Sequence, residues 1–218
     1  LVQRIGEAFR PGTVMTEVAV ETRRVIEAMY PNPFTPGGGE HAAFALDTSR
    51  PDRVVVQRKS PGVVLAFDAE GLLALATQTG CVVEVVPQVG DFLAVGDPLF
   101  RLYGRGAAVA DEETLRASVA LGIERTMEQD PAFGFRIIVD IASKALSPAI
   151  NDPTTGVLAV DQLHHLLSLV SRRQLDTGVV RDASGEVRLV YRTPDWEDFV
   201  TLAATELETA GPAPADDL

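Results

Sequence analysis

The chain has 218 residues, 46% of them apolar and 6% aromatic, and carries 19 Lys and Arg against 31 Asp and Glu, a net charge of −12. That length holds one large domain or two small ones, with enough apolar material for a true core. The negative field and scarce aromatic rings argue against nucleic acid as a partner, since phosphates need a basic footprint and single strands need stacking platforms.

Cys81 is the only cysteine, which excludes an intramolecular disulfide and a cysteine zinc site. It opens an apolar run and reads as a buried structural thiol. No stretch approaches 18 uninterrupted apolar residues, so the sequence offers no bilayer-crossing span. The chain opens at Leu1 on an amphipathic helical pattern, which reads as a cut from a longer protein.

Residues 1–30 form a helical N-terminal arm in two pieces, broken at Pro11-Gly12, with Thr13 or Thr16 capping the second. Val14, Val18, Val25 and Met29 recur at helical spacing on that second piece. Residues 31–52, with Pro31, Pro33, Pro36 and three successive glycines, form a loop or linker. His41 falls in it without an evident partner.

Residues 53–104 read as a β-rich unit. Arg53–Gln57 and Gly62–Phe67 are short strands around Ser60-Pro61-Gly62, followed by an Asp68-capped helix that Gly80 ends. Cys81–Val86 and Phe100–Tyr103 are further strands. Between them, the run from Val89-Gly90-Asp91-Phe92 to Gly96-Asp97-Pro98-Leu99 resembles the turn pattern of barrel-sandwich hybrids, the fold of biotinyl and lipoyl carriers. This implies a small barrel with Phe92, Val95 and Leu99 pointing inward. The Met-Lys-Met that bears the carrier cofactor is absent, so the pattern reads as fold and no cofactor is expected.

Residues 105–209 read as a helical region with a β-hairpin. One helix runs from Asp111 to about Gln129, a second starts at Pro131 and ends near Leu146, and a third starts at Asn151-Asp152-Pro153. Val160, Leu163, Leu167 and Val170 line the third at spacings of three and four. Asp182–Gly185 turns a hairpin, Thr193-Pro194 starts a last helix, and residues 210–218 form a disordered tail. The fold class is α+β: a barrel-sandwich-like unit followed by a helical layer with a hairpin, sharing one core because Tyr103–Ala110 is short.

Two polar runs stand out, Glu124-Arg125-Thr126-Met127-Glu128-Gln129-Asp130 and Ser147-Pro148-Ala149-Ile150-Asn151-Asp152-Pro153-Thr154-Thr155. With the apolar helix between them, they resemble domain-of-unknown-function family 2254, from about Pro51 to Phe199. The resemblance implies a bacterial membrane protein whose transmembrane helices precede this region. It implies no activity.

On a helix, Arg125 and Gln129 would share one face at i, i+4. Packing against the Asn151 helix would bring Arg125 to Asp152 or Asp161. Glu124, Arg125, Thr126, Gln129, Asn151, Asp152, Thr155 and Asp161 would then gather in one polar pocket, able to hold a cation by oxygen ligands or an anion by Arg125 and a helix N-terminus. The plainer reading makes Asn151 or Asp152 a helix cap and Arg125 a brace. Asp161 and His165 share a face, a two-ligand seed for a metal, which remains the weaker reading.

The sequence therefore points to a soluble, non-enzymatic domain that assembles, senses for or regulates a transmembrane segment of the same protein. It would lie on the cytoplasmic side and form homo-oligomers. The alternative is a small-ligand or metal-binding domain, or an enzyme, built on the Glu124–Asp161 cluster.

Overall fold

The computed structural model describes residues 11–35 and 50–210. The first helical piece of the arm, residues 36–49 with His41, and residues 211–218 of the tail lie outside the described residues. The chain divides into two compact units, one within Leu1–Pro36, Pro131–Leu175 and Pro194–Leu218, the other within Gly37–Asp130 and Asp176–Thr193. Each has its own apolar cluster, where the short 103–110 connection had indicated a shared core.

The helical unit contains α1 (Pro11–Met29), α4 (Pro131–Leu146), α5 (Pro153–Val170) and α6 (Trp196–Ala210). Its core is built by stripes at spacings of three and four: Met15, Ala19 and Ile26 from α1, Phe135, Ile138 and Ala142 from α4, Ala159, Leu163 and Leu166 from α5, and Phe199 from α6. Pro11 is the first residue of α1, so Thr16 lies inside the helix, its hydroxyl donating to Gly12 O at 2.8 Å. Of the residues assigned to the α1 stripe, Val25 is buried, Val18 and Met29 are half-buried, and Val14 is exposed. The α5 stripe runs through Ala159 and Leu166, which leaves Val160 half exposed. At the start of α6, Asp195 N donates to Asp198 Oδ2 at 3.0 Å and Asp198 N to Asp195 Oδ1 at 2.9 Å, so the cap falls at Asp195.

The sheet unit contains β1 (Arg53–Val56), β2 (Gly62–Phe67), α2 (Ala69–Thr79), β3 (Val82–Val85), β4 (Phe92–Leu93), β5 (Pro98–Tyr103), a 3-10 turn (Arg105–Ala108), α3 (Glu112–Ala117), β6 (Val119–Gly122), β7 (Val179–Arg181) and β8 (Val187–Val190). Asp68 caps α2 by accepting from Gly71 N at 2.9 Å, and Gly80 ends it at φ 71°. Cys81 is fully buried, its sulfur 3.1 Å from the Thr79 hydroxyl.

The barrel expectation is corrected. The strands form two open sheets, ordered β1-β5-β3-β8-β7 and β4-β2-β6. A barrel needs its first and last strands to pair, and here β1, β7, β4 and β6 are all edges. Gly90 and Gly96 do take positive φ, at 94° and 99°, so the two turns form. Of the three residues expected to point inward, Phe92 and Val95 are exposed and Leu99 is buried, as is Leu93.

The hairpin is also reassigned. It forms as read, with Asp182 accepting from Ser184 N and Glu186 N at 2.8 and 3.1 Å and from Arg188 Nε at 2.7 Å. It belongs to the five-stranded sheet, where β8 pairs parallel with β3, Val83 opposite Leu189.

The long helix from Asp111 to Gln129 is absent. Helix α3 stops at Ala117, and Ser118 satisfies its end, the hydroxyl donating to Leu115 O at 2.7 Å. Val119–Gly122 then pairs antiparallel with β2. Leu115 and Val119 match a helical period, yet Val119 and Leu121 also match a strand, and the free edge of β2 decides.

Glycine 134 sets the approach of α1 and α4 within the helical unit. A β-carbon there would overlap the Thr22 side chain, which is fully buried and donates back to Val18 O at 2.7 Å. Gly134→Ala is expected to cost about 1–3 kcal/mol in urea unfolding, as overpacking does. Part of that loss should return in the Gly134→Ala/Thr22→Ala double variant; equal midpoints for single and double variants would show the approach is not the cause.

Candidate functional site

The eight candidate residues fall in both units. Glu124, Arg125, Thr126 and Gln129 lie in the sheet unit, while Asn151, Asp152, Thr155 and Asp161 lie in the helical unit. Each group is described by its own geometry.

The first run lies on the loop that follows β6, not on a helix. Arg125 reaches Asp130 with two hydrogen bonds, Nε to Oδ2 at 2.5 Å and Nη2 to Oδ1 at 3.1 Å. The Asp130 side chain is only 4% exposed, that of Arg125 35%. Such a planar fork fixes orientation as well as charge. The guanidinium also lies against Gly90: a β-carbon there would sit 2.5 Å from Nε and 2.6 Å from Cζ. Gly90 is thus required twice, for its φ of 94° and for this approach. Gln129 Oε1 accepts from Phe67 N at 3.3 Å, which ties the far end of the loop to β2. Thr126 Oγ1 is buried without a hydrogen-bond partner among the described residues, and Glu124 is exposed.

The second run closes α4 and opens α5. Asn151 N donates to Ser147 O and Asp152 N to Ala145 O, both at 2.8 Å, which satisfies the turn after α4 and one carbonyl of its last turn. Asn151 makes this possible by adopting φ 49°, the only positive φ among the described non-glycine residues. Asparagine tolerates that conformation better than most side chains. Asp152 then caps α5, accepting from Thr155 Oγ1 at 2.6 Å and Thr155 N at 3.2 Å. The Thr155 hydroxyl, followed by the Thr155 amide, holds the Asp152 carboxyl below the usual carboxylate range. Pro153 occupies the first turn, where its missing N–H costs nothing.

Asp161, His164 and His165 are exposed on α5. The two imidazole rings stand 5.9 Å apart, as neighbours on a helix must diverge. No group of three His, Cys, Asp or Glu side chains that could hold a metal occurs among the described residues.

One polar cluster escaped the sequence reading. On the five-stranded sheet, Tyr103 OH donates to Glu84 Oε2 at 2.6 Å and Arg101 Nη1 to Glu84 Oε1 at 3.0 Å. Burial, followed by the Glu84 carboxylate, pushes the Tyr103 phenol up to about 12. A signal existed: Glu84 interrupts the apolar run Val82–Val86, which places it on the face opposite Val83 and Val85. Its partners come from a strand nearly twenty residues away in sequence, which the alternation alone does not reveal.

If Asn151 serves the backbone, Asn151→Gly should leave the urea midpoint unchanged or slightly raised, while Asn151→Ala should lose about 1 kcal/mol. A Gly variant that loses as much as the Ala variant would assign the role to the carboxamide. Arg125→Ala removes the forked cation from a buried carboxylate, and a loss of about 2 kcal/mol is expected. Arg125→Ala/Asp130→Asn should recover part of it; a double variant no more stable than the single would show the pair is not coupled.

Compared with known proteins, the chain is 29% identical over 205 residues to an uncharacterized protein of Mycobacterium tuberculosis strain H37Rv, the alignment covering 91% of this chain and 39% of the relative. An uncharacterized protein of Mycobacterium bovis gives the same figures, 29% over 205 residues. The chain therefore spans about two fifths of the length of the curated relatives it matches. No solved structure matches it. A family model described as predicted membrane protein matches residues 1–214, nearly the whole sequence, and the chain belongs to that family, DUF2254.

Proposed function

We propose that this chain is a non-catalytic extramembrane module of a membrane protein, serving to assemble or regulate the membrane-embedded part of the same polypeptide. The observation that carries this reading is a mismatch. The family is one of membrane proteins, yet none of the described helices is long and apolar enough to cross a membrane. The described residues instead form two units with buried cores of their own, and relatives extend well beyond the matched region. A buried core of its own is what each unit needs to fold in water.

The polar runs support the non-catalytic part of the reading. Asp152 accepts from the backbone and hydroxyl of Thr155, Gln129 accepts from Phe67 N, and Arg125 forks onto Asp130. Each interaction is one that a helix end or a loop requires for its own stability. A catalytic pair would instead leave a titratable group aimed at open space beside a nucleophile or base.

The test is to express the full-length protein and its membrane part without this module, and to add the purified module back in trans. The module should be monodisperse without detergent, cooperatively folded, and retained by the detergent-solubilised membrane part at micromolar concentration. A module that aggregates without detergent, or that the membrane part does not retain, would overturn the proposal.

A further inference from the structure

In the sheet unit, three arginines converge on one carboxylate. Glu112, the first residue of α3, accepts from Arg53 of β1, Nη2 to Oε2 at 3.0 Å, and from Arg116 of α3, Nη2 to Oε1. Arg58, on the connection from β1 to β2, stands with Nη2 3.6 Å from the same Oε1. Two of the three heads are also held by backbone. Arg53 Nη1 donates to the carbonyls of Ala107 and Ala110 at 3.2 and 2.8 Å, and Arg116 Nε to that of Val56 at 3.0 Å. Their side chains are 28% and 15% exposed, that of Arg58 68%.

Charge does not balance here. The Arg116 guanidinium holds the Glu112 carboxyl below the usual carboxylate range, so Glu112 is ionised. Asp111 is ionised too, its carboxyl held down first by the Thr114 hydroxyl and amide and to a lesser degree by Arg53. Two carboxylates balance two guanidiniums; the third repels the others unless a further anion joins them. The chain as a whole carries −12, but at physiological salt charges beyond about 8 Å are largely screened, so the local surplus decides.

Donors remain as well. Among the described residues, Arg53 Nε and Arg116 Nη1 make no hydrogen bond, and the Arg58 head has only its long contact with Glu112. A guanidinium presents flat pairs of N–H donors that match the oxygens of a carboxylate or a phosphoryl group. Three heads reaching from a strand, a connection and a helix suit a ligand with three peripheral oxygens. A phosphate monoester has three such oxygens and up to two negative charges, where a carboxylate has two oxygens and one charge.

We infer that Arg53, Arg58 and Arg116 form a binding site for a phosphate monoester, with Arg53 and Arg116 preset by the backbone and Arg58 completing the contact. A small soluble ester and the head of a phosphatidic acid present this same group. The site lies within the sheet unit and requires no membrane part.

The experiment is calorimetric titration of the 218-residue chain with glycerol 3-phosphate and with acetate at constant ionic strength, in parallel with sedimentation on phosphatidylcholine vesicles with and without phosphatidic acid. One saturable glycerol 3-phosphate per chain, not displaced by equimolar acetate, is expected. Arg58→Ala, at an exposed side chain, should weaken it about fivefold with the melting temperature unchanged, the scale of one exposed ion pair. Glu112→Gln removes a competing anion and should tighten binding; a cluster that only braces α3 would lose stability and gain no affinity. Binding to phosphatidic acid vesicles alone, lost in Arg58→Ala, would assign the phosphoryl group to a lipid at the same site. No saturable binding of either form, acetate bound as well as glycerol 3-phosphate, or binding unchanged in both Arg58→Ala and Arg58→Glu would overturn the site.

Discussion

The parallel pairing of β8 with β3 is the constraint from which the rest of the topology follows. Strands β1, β3 and β5 pair antiparallel from a single stretch of chain, residues 53–103. Strand β8 arrives from residues 187–190 and takes the remaining side of β3. A parallel neighbour cannot be reached by a tight turn and needs a long connection. Here the connection includes α4 and α5, which build the core of a different unit. One ladder therefore makes both units discontinuous in sequence. It also leaves β1 and β7 as edges, which is why the five strands do not close on themselves.

A second convergence lies at Gly90. The turn Val89-Gly90-Asp91 and the run Glu124–Asp130 look unrelated in the sequence, separated by α3 and β6. In the fold, the Arg125 guanidinium covers the Gly90 α-carbon, while Gly90 N donates to Val64 O at 2.8 Å. Gln129 meets the same strand, β2, at Phe67 N. Strand β2 is thus held on one side by the glycine turn and on the other by the polar loop. The two features that carried the fold resemblance and the family resemblance are parts of one local structure. Its chemistry is that of a brace: a fork onto a buried carboxylate, a side-chain acceptor for a strand-end amide, and a glycine that lets the arginine approach.

What was legible in the sequence was local. The boundaries Gly62–Phe67 and Pro131–Leu146, the helix start at Pro153, the caps at Asp68 and Asp152, and the hairpin turn at Asp182 each depend on residues within one or two turns of each other. What was not legible was decided by distant partners. Val119–Gly122 had a helical period, and an open edge on β2 made it a strand. Phe92 and Val95 were placed inside a barrel by the resemblance to barrel-sandwich hybrids, and without a closing strand they are exposed. Arg125 was placed on a helix that does not form, so the side chains assigned to its face were assigned by a period that the backbone does not have. The same limit hid the Glu84 cluster, whose partners are set by the register of β3 on β5.

The loop-closure cost of this arrangement is modest. The entropy of closing a loop grows only with the logarithm of its length, about 0.6 kcal/mol per doubling. Holding β8 in the sheet across residues 131–175 is thus far less expensive than the length suggests. The chain re-enters the helical unit at Pro131 and again at Pro194. A proline disfavours helix in the residue before it, so each entry starts a new element instead of extending an old one. At Pro131 the preceding residue is Asp130, anchored by Arg125 in the sheet unit. The polar run Glu124–Asp130 thereby fixes Asp130, the residue just before Pro131.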